Sequence, residues 1–245
     1  MCQYVLFISA QTDHIQITIA MLPVISIITL MIISNCFGPE NNTNDNMETI
    51  SLPEPSLEGD ISLEKTLKDR RSVRSYSDKT ISAGIISQLA WAAQGISDRV
   101  NNFRTAPSAG ATYPIELYFV VSDGHEPGEG VYRYDPGDHA LDRVHSQDMR
   151  RDIYQMSLQQ EPIIDAPVVL VITGVLERTA QRYGERAERF MYMEAGHVSQ
   201  NIYLQSTALE LGTVAIGAFD DEGIMELMEL EDGEYPLYIM PVGHY

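Results

Sequence analysis

Apolar and polar residues change their period several times along this chain, and each change marks a predicted element. Residues 15–37, "IQITIAMLPVISIITLMIISNCF", are uncharged and apolar over a length that can cross a bilayer or serve as a secretory signal core. Residues 38–60 are polar, acidic and Pro-containing with no apolar periodicity, which predicts a flexible tether. Globular patterning starts near Ile61 and runs to Tyr245. Ile85, Ile86, Leu89, Ala90 and Ala93 recur at helical spacing over Ser82 to Ala93, with Gly95 as a stop. "IELYFVVS" (115–122) is a strand. "GVYRYDPGDHALDRV" (130–144) reads as strand, Asp-Pro-Gly turn, strand. The unbroken apolar run "APVVLVITGVL" (166–176) predicts a buried central strand.

From Glu177 to Gly212 the pattern is helical, with Gly184 marking a break and Gly212 the close. Its middle, with Phe190, Met191, Met193, Ala195, Val198, Ile202 and Leu204, leaves no clearly polar face, so burial by the fold or by a partner subunit is expected. Gly196 disfavours a helix interior by roughly 1 kcal/mol, which fits a close helix crossing. "PLYIMPVG" (236–243) closes the domain as a strand. The order predicts an α+β domain in which helices flank a mostly antiparallel central sheet. No internal repeat is present.

Charge narrows the function classes. The formal net charge of −19 excludes a nucleic-acid partner, which needs a clustered basic face. Both cysteines, Cys2 and Cys36, precede the globular region, leaving it without a disulfide, a thiolate nucleophile or a Cys-based metal site. Its histidines are dispersed with no metal-binding spacing, and no metal is expected. Cys36 follows an approximate lipoprotein box. Together with the apolar segment, this predicts a signal-anchored or lipoprotein-like, membrane-tethered protein on the extracytoplasmic face.

Several stretches can carry chemistry. "DRRSVRSY" holds Arg70, Arg71, Ser72 and Arg74, a set that can cradle a phosphate through bidentate guanidinium contacts. The alternative is a solvated basic helix end. The small-residue run around Pro107, Ser108, Ala109 and Gly110 suits a backbone approaching something flat, or a flexible turn. "AIGAFDD" (215–221) offers backbone amides beside Ile216, Gly217 and Ala218 with little side-chain cover, as an anion nest or as an ordinary loop. Tyr183 is a candidate proton-handling group or a half-buried tyrosine. Glu194 and His197 form a satisfied buried pair or line a pocket. No GxGxxG, P-loop or GxSxG pattern is present.

Taken in order, "RRSVRSY", "RTAPSAGATYPIELYFVV", "GVYRYDPGDHAL", "DAPVVLVITG", "RYGERAERFMYMEAGHVSQNIYL", "ELGTVAIGAFDD" and "PLYIMPVGH" resemble the nitroreductase family of FMN flavoproteins, most closely its SagB-type dehydrogenase branch. The resemblance spans Ser62 to Tyr245 and implies a nitroreductase-like fold. It also implies a homodimer with shared active sites, joined by the long buried helix around Gly196. It assigns Arg70, Arg71, Ser72 and Arg74 to the phosphate and ribityl end of FMN. Pro107, Ser108, Ala109 and Gly110 would lie against the flavin ring, and Ile216, Gly217 and Ala218 would face its edge and N5. The implied activity is ping-pong electron transfer through flavin N5, on a small-molecule or peptide substrate.

Two departures qualify what the resemblance implies. The chain ends at "PVGHY" without the further basic residues many nitroreductases use on the phosphate. Arg182-Tyr183 also stands where SagB-type azoline oxidases are expected to carry Lys-Tyr, and an arginine cannot act as a base. The alternatives are an NAD(P)H-dependent nitro or quinone reductase, with NAD(P)H as electron donor, and a non-catalytic flavin-binding partner subunit. For the enzymatic readings Tyr183 is the candidate catalytic residue.

Overall fold

The computed structural model describes residues 48–245. In chain order the elements are β1 (Thr49–Ser51), α1 (Leu63–Asp69), α2 (Ala83–Gln94), β2 (Ile96–Asp98), β3 (Phe103–Arg104), β4 (Ile115–Val121), β5 (Gly130–Asp135) and β6 (Ala140–His145). They continue with α3 (Arg150–Met156), α4 (Pro162–Asp165), β7 (Val168–Val175), α5 (Leu176–Tyr183), α6 (Ala187–Ala208), β8 (Gly212–Thr213), α7 (Asp221–Leu227) and β9 (Glu234–Gly243). Seven strands form one antiparallel sheet in the order β1-β6-β5-β4-β7-β9-β8, while β2 and β3 pair separately.

The period-two alternation of the central strands explains why the sheet is covered on both sides. On β4, Ile115, Leu117, Phe119 and Val121 share a face with Leu170, Ile172, Met240 and Val242, and these pack on α2 and α6 through Ile86, Leu89, Met191, Val198 and Ile202. Tyr118 and Val120 point the other way with Val169, Val171 and Ile239, against Ile153 of α3, Ile163 of α4 and Ile224 of α7. Both faces of β7 are therefore buried, which accounts for its unbroken apolar run. Each fully buried Leu, Ile or Phe contributes roughly 1.5–3 kcal/mol. Helix starts are set locally: Ser62, Ser82 and Asp220 accept from the amides of Lys65, Ile85 and Gly223.

Two expectations change here. The tether expected over 38–60 is structured in its later part: Thr49–Ser51 pairs with Asp142–Ala140 on the sheet edge, and Leu52, buried, donates its amide to the His139 carbonyl at 3.1 Å. Four residues are too few to read as a strand amid polar sequence, but the edge of β6 offers them unpaired backbone groups. Gly212 does not close α6, which ends at Ala208. It enters β8, where a Cβ would meet Val73 at 2.5 Å. The break at Gly184 is present, with φ +53.

The expected membrane-anchored, extracytoplasmic protein is also corrected: among the described residues no helix is long and apolar enough to cross a membrane. The segment that carried that expectation, 15–37, and Cys36 lie outside the described residues.

Helix α6 buries Met191, Glu194, Ala195, Val198 and Ile202, yet leaves Tyr192 and Met193 about half exposed at 53% and 48%. Among the described residues no helix crosses at Gly196, where a Cβ would have nothing within 4 Å.

Candidate functional site

Helix α6 organises the site through two residues, Tyr203 and Glu194. They are nine residues apart, which places them roughly 13.5 Å apart along the axis and on opposite faces. The Tyr203 hydroxyl accepts the Ala215 amide at 2.7 Å and lies 3.2 Å from Ser72 Oγ, while its ring carries the Arg70 guanidinium at 5.1 Å. Two segments far apart in sequence, 70–72 and 215–218, therefore meet at one phenol. The meeting is fixed by the backbone as well: Val73 donates to the Thr213 carbonyl at 2.9 Å, and Ser72 bridges Thr213 in parallel.

On the same side a cavity of about 630 Å³ opens beside Gly217. It is lined by Tyr192 and Met191 of α6, Tyr235 and Tyr238 of β9, and Phe219, with Glu188 and Asp221 as its carboxylates. Tyr192 precedes Tyr203 by eleven residues, about three turns, and so shares its face. Gly217 and Ala218 are exposed, and their amides donate to no group among the described residues. A Cβ on Gly217 would stand 3.7 Å from the Tyr238 ring, an ordinary contact, so neither backbone strain nor a neighbour requires glycine there. The volume falls in the range of small-molecule sites.

The other arginines sit differently. Arg71 folds back to donate to the carbonyls of Lys68 and Arg70 at 2.9 and 2.7 Å, as a cation does at a helix C-terminus. Arg74 is exposed, and its charge is felt by Tyr76.

The Pro107–Gly110 loop lies elsewhere, and none of its residues lines the cavity. The Ser108 hydroxyl accepts the Tyr113 amide at 2.9 Å, and Gly110, at φ +63, closes a tight turn. A Cβ there would come within 2.7 Å of Tyr183 Oη and 2.9 Å of the Arg182 side chain, ends that can shift, while the positive φ itself favours glycine. Arg182 Nη1 donates to the Gly110 carbonyl at 2.9 Å, and the Tyr183 ring packs on Phe190 at 4.7 Å. The structure thus brings Arg182-Tyr183 to the loop.

Behind the loop, Glu194 is 2% exposed, and burial pushes its carboxyl up to about 7 against the opposing pull of Ser108, Arg104 and Gln94. His197 is exposed, so the two are not a buried pair. Sequence reading missed Tyr203, Gln94 and Arg104. Their roles depend on tertiary partners, and Tyr203 looks like one more apolar position of a buried helix.

The chain matches the Nitroreductase family over residues 67–244. A protein of Methanocaldococcus jannaschii named as a nitroreductase is 43% identical over 196 residues, covering 80% of this chain and 97% of that protein. The trifolitoxin operon protein TfxC of Rhizobium leguminosarum bv. trifolii is 26% identical over 193 residues, covering 72% of this chain and 54% of TfxC. A crystal structure from Ralstonia eutropha, described as a nitroreductase, aligns with a TM-score of 0.72 and 30% identity over 81% of this chain and 90% of that one.

Proposed function

The chain belongs to the nitroreductase family of oxidoreductases, whose members generally bind flavin, and from that premise we propose that it is an FMN-dependent oxidoreductase of the SagB-type dehydrogenase branch. The observation that carries this reading is the convergence at Tyr203. A cationic, hydroxyl-bearing segment and the Ala215 amide are tied to one phenol, and the unbonded amides of Gly217 and Ala218 follow at an aromatic-lined cavity. FMN requires an anion site, a slot for a flat ring and a few backbone donors, and these residues fit that set. When bound, the flavin supplies two-electron transfer through N5.

In this reading Arg70, Arg71 and Ser72 hold the phosphate and ribityl end, with Arg74 as an outlying cation. The exposed amides of Gly217 and Ala218, following Ile216, face the ring edge. Pro107, Ser108, Ala109 and Gly110 lie on the opposite face of α6, so a second copy of the chain brings them to the ring. Open space at Gly196 and the exposed Tyr192 and Met193 support α6 as the dimer helix. Tyr183, held beside the loop, is the proton-handling side chain.

The similarity to TfxC, a trifolitoxin operon protein, supports the SagB-type branch. A second reading, NAD(P)H-driven reduction of nitro compounds or quinones, is favoured by Arg182, which stays protonated and cannot act as a base. The test of the cofactor site is FMN titration of Arg70→Ala/Arg71→Ala. Charge-assisted hydrogen bonds contribute roughly 1.5–3 kcal/mol each, so the dissociation constant rises by about a hundredfold or more. An increase below threefold removes these arginines from the site.

A further inference from the structure

Three side chains of α5 reach a single loop. Arg178, Thr179 and Arg182 stand at positions i, i+1 and i+4 of the helix and so share one face. Arg182 Nη1 donates to the Gly110 carbonyl at 2.9 Å, the hydroxyls of Thr179 and Thr112 meet at 2.9 Å, and Arg178 Nη1 donates to the Tyr113 carbonyl at 3.1 Å. Glu116 of β4 pairs with Arg178, and Arg104 stacks on the Tyr113 ring at 4.6 Å. The stretch they hold is strained. Gly110, Ala111 and Tyr113 have φ of +63, +54 and +45, and Ala111 and Tyr113 carry a Cβ. Left-handed backbone is uncommon for such residues and persists where the surroundings over-determine it.

The same contacts set what the loop can offer. The carbonyls of Ser108 and Ala109 accept the amides of Ala111 and Thr112 at 3.2 and 3.4 Å, and Arg182 occupies the carbonyl of Gly110. The amides of Ser108, Ala109 and Gly110 donate to no group among the described residues. Residues 108–110 therefore offer backbone donors while each of their carbonyls is engaged. We propose that Arg178 and Arg182 are positioning residues: from α5 they hold residues 110–113 in their left-handed form and so fix the donor set that the Pro107–Gly110 loop presents to the flavin. This rests on the flavin reading, but the hold on the loop can be tested without flavin. Both arginines are exposed, and exposed ionic contacts add little to global stability, so their loss acts on the loop and leaves the rest of the fold in place. Without Arg182 the Gly110 carbonyl becomes an open acceptor, which opposes the acceptor rim of a flavin ring.

The test compares the parent with Arg182→Met, which keeps a long side chain without a donor, Arg182→Lys, which restores a donor, and Arg178→Met. The first arm is amide hydrogen exchange of the flavin-free full chain, read at Ala111, Thr112 and Tyr113 against the central strands β4 and β7. Both Met variants exchange about fivefold faster at the three loop amides with β4 and β7 unchanged, and Arg182→Lys stays within about twofold of the parent. The second arm is the FMN dissociation constant by flavin fluorescence. It rises about fivefold in both Met variants and returns to within about twofold in Arg182→Lys. Loop exchange unchanged in Arg178→Met overturns the proposal, and it does so even where Arg182→Met fails to fold. Acceleration shared equally by β4 and β7 overturns it too, as does an Arg182→Lys that behaves like Arg182→Met. Faster loop exchange with the FMN affinity of the parent retained removes the positioning role. FMN bound by none of the four proteins, with the loop exchange changed, overturns the flavin reading and leaves the hold on the loop standing.

Discussion

Replacing Tyr203 by Phe deletes a single oxygen at the point where the two halves of the proposed flavin site are joined. The ring remains, and with it the stacking of Arg70 at 5.1 Å, so the change isolates the hydroxyl. Two contacts are lost, the 2.7 Å bond from the Ala215 amide and the 3.2 Å contact with Ser72 Oγ. The two losses differ in kind. Ser72 is exposed and recovers water, whereas the Ala215 amide is half-buried and loses its acceptor, at about 1–3 kcal/mol. Total destabilisation is therefore about 1–3 kcal/mol, and at 2–4 °C per kcal/mol for a chain of this size the melting temperature falls by roughly 2–12 °C. FMN affinity falls further than Ser72→Ala alone produces, by about tenfold or more, because both the 70–72 segment and the 215–218 amides are loosened. The assay is FMN titration of Tyr203→Phe, Ser72→Ala and the double variant, with thermal melts of each. Coupling between the two positions is expected, since they share one contact. Tyr203→Phe binding FMN within twofold of the parent would refute the account of Tyr203 as the junction.

Two further predictions bear on other parts of the structure. Gly217→Val should leave the melting temperature nearly unchanged, since a Cβ there meets only the Tyr238 ring at 3.7 Å, yet weaken FMN binding by obstructing the cavity mouth; titration and melting curves together check this. Glu194 has its folded-state pKa raised, to about 7, so the folded protein binds more protons than the unfolded one and stability falls as pH rises from about 4.5 to 7. The loss is about 3 kcal/mol at most, and Glu194→Gln should flatten the decline in melting temperature between pH 5 and 8.

How much of this was legible in the sequence depended on whether the signal was local. The alternation in "IELYFVV" and the continuous run in "APVVLVITG" gave the two central strands, because burial on one or both faces leaves a direct trace in residue order. Helix α2 was readable to within a residue, since Ser82 and Gly95 bracket it. Strand β1 was not, because its stability comes from the edge of β6 rather than from its own residues. The three candidate segments were visible as clusters of Arg or of small residues, but their arrangement was not. That Ser72 and Ala215 share Tyr203, and that Glu194 is buried on the opposite face of the same helix, follows from how α6 is packed at both ends. Glu194 and His197, three apart in sequence, looked like a pair until the packing buried one and exposed the other.

The central claim is that this chain holds FMN and passes electrons through it. The measurement that tests it most directly is the visible absorption spectrum of the purified full chain, reconstituted with FMN and freed of unbound flavin, before and after anaerobic addition of NADH, NADPH or a reducing substrate. The account predicts flavin bands that co-purify with the protein and bleach when a donor is added. A chain that retains no flavin after reconstitution would contradict it.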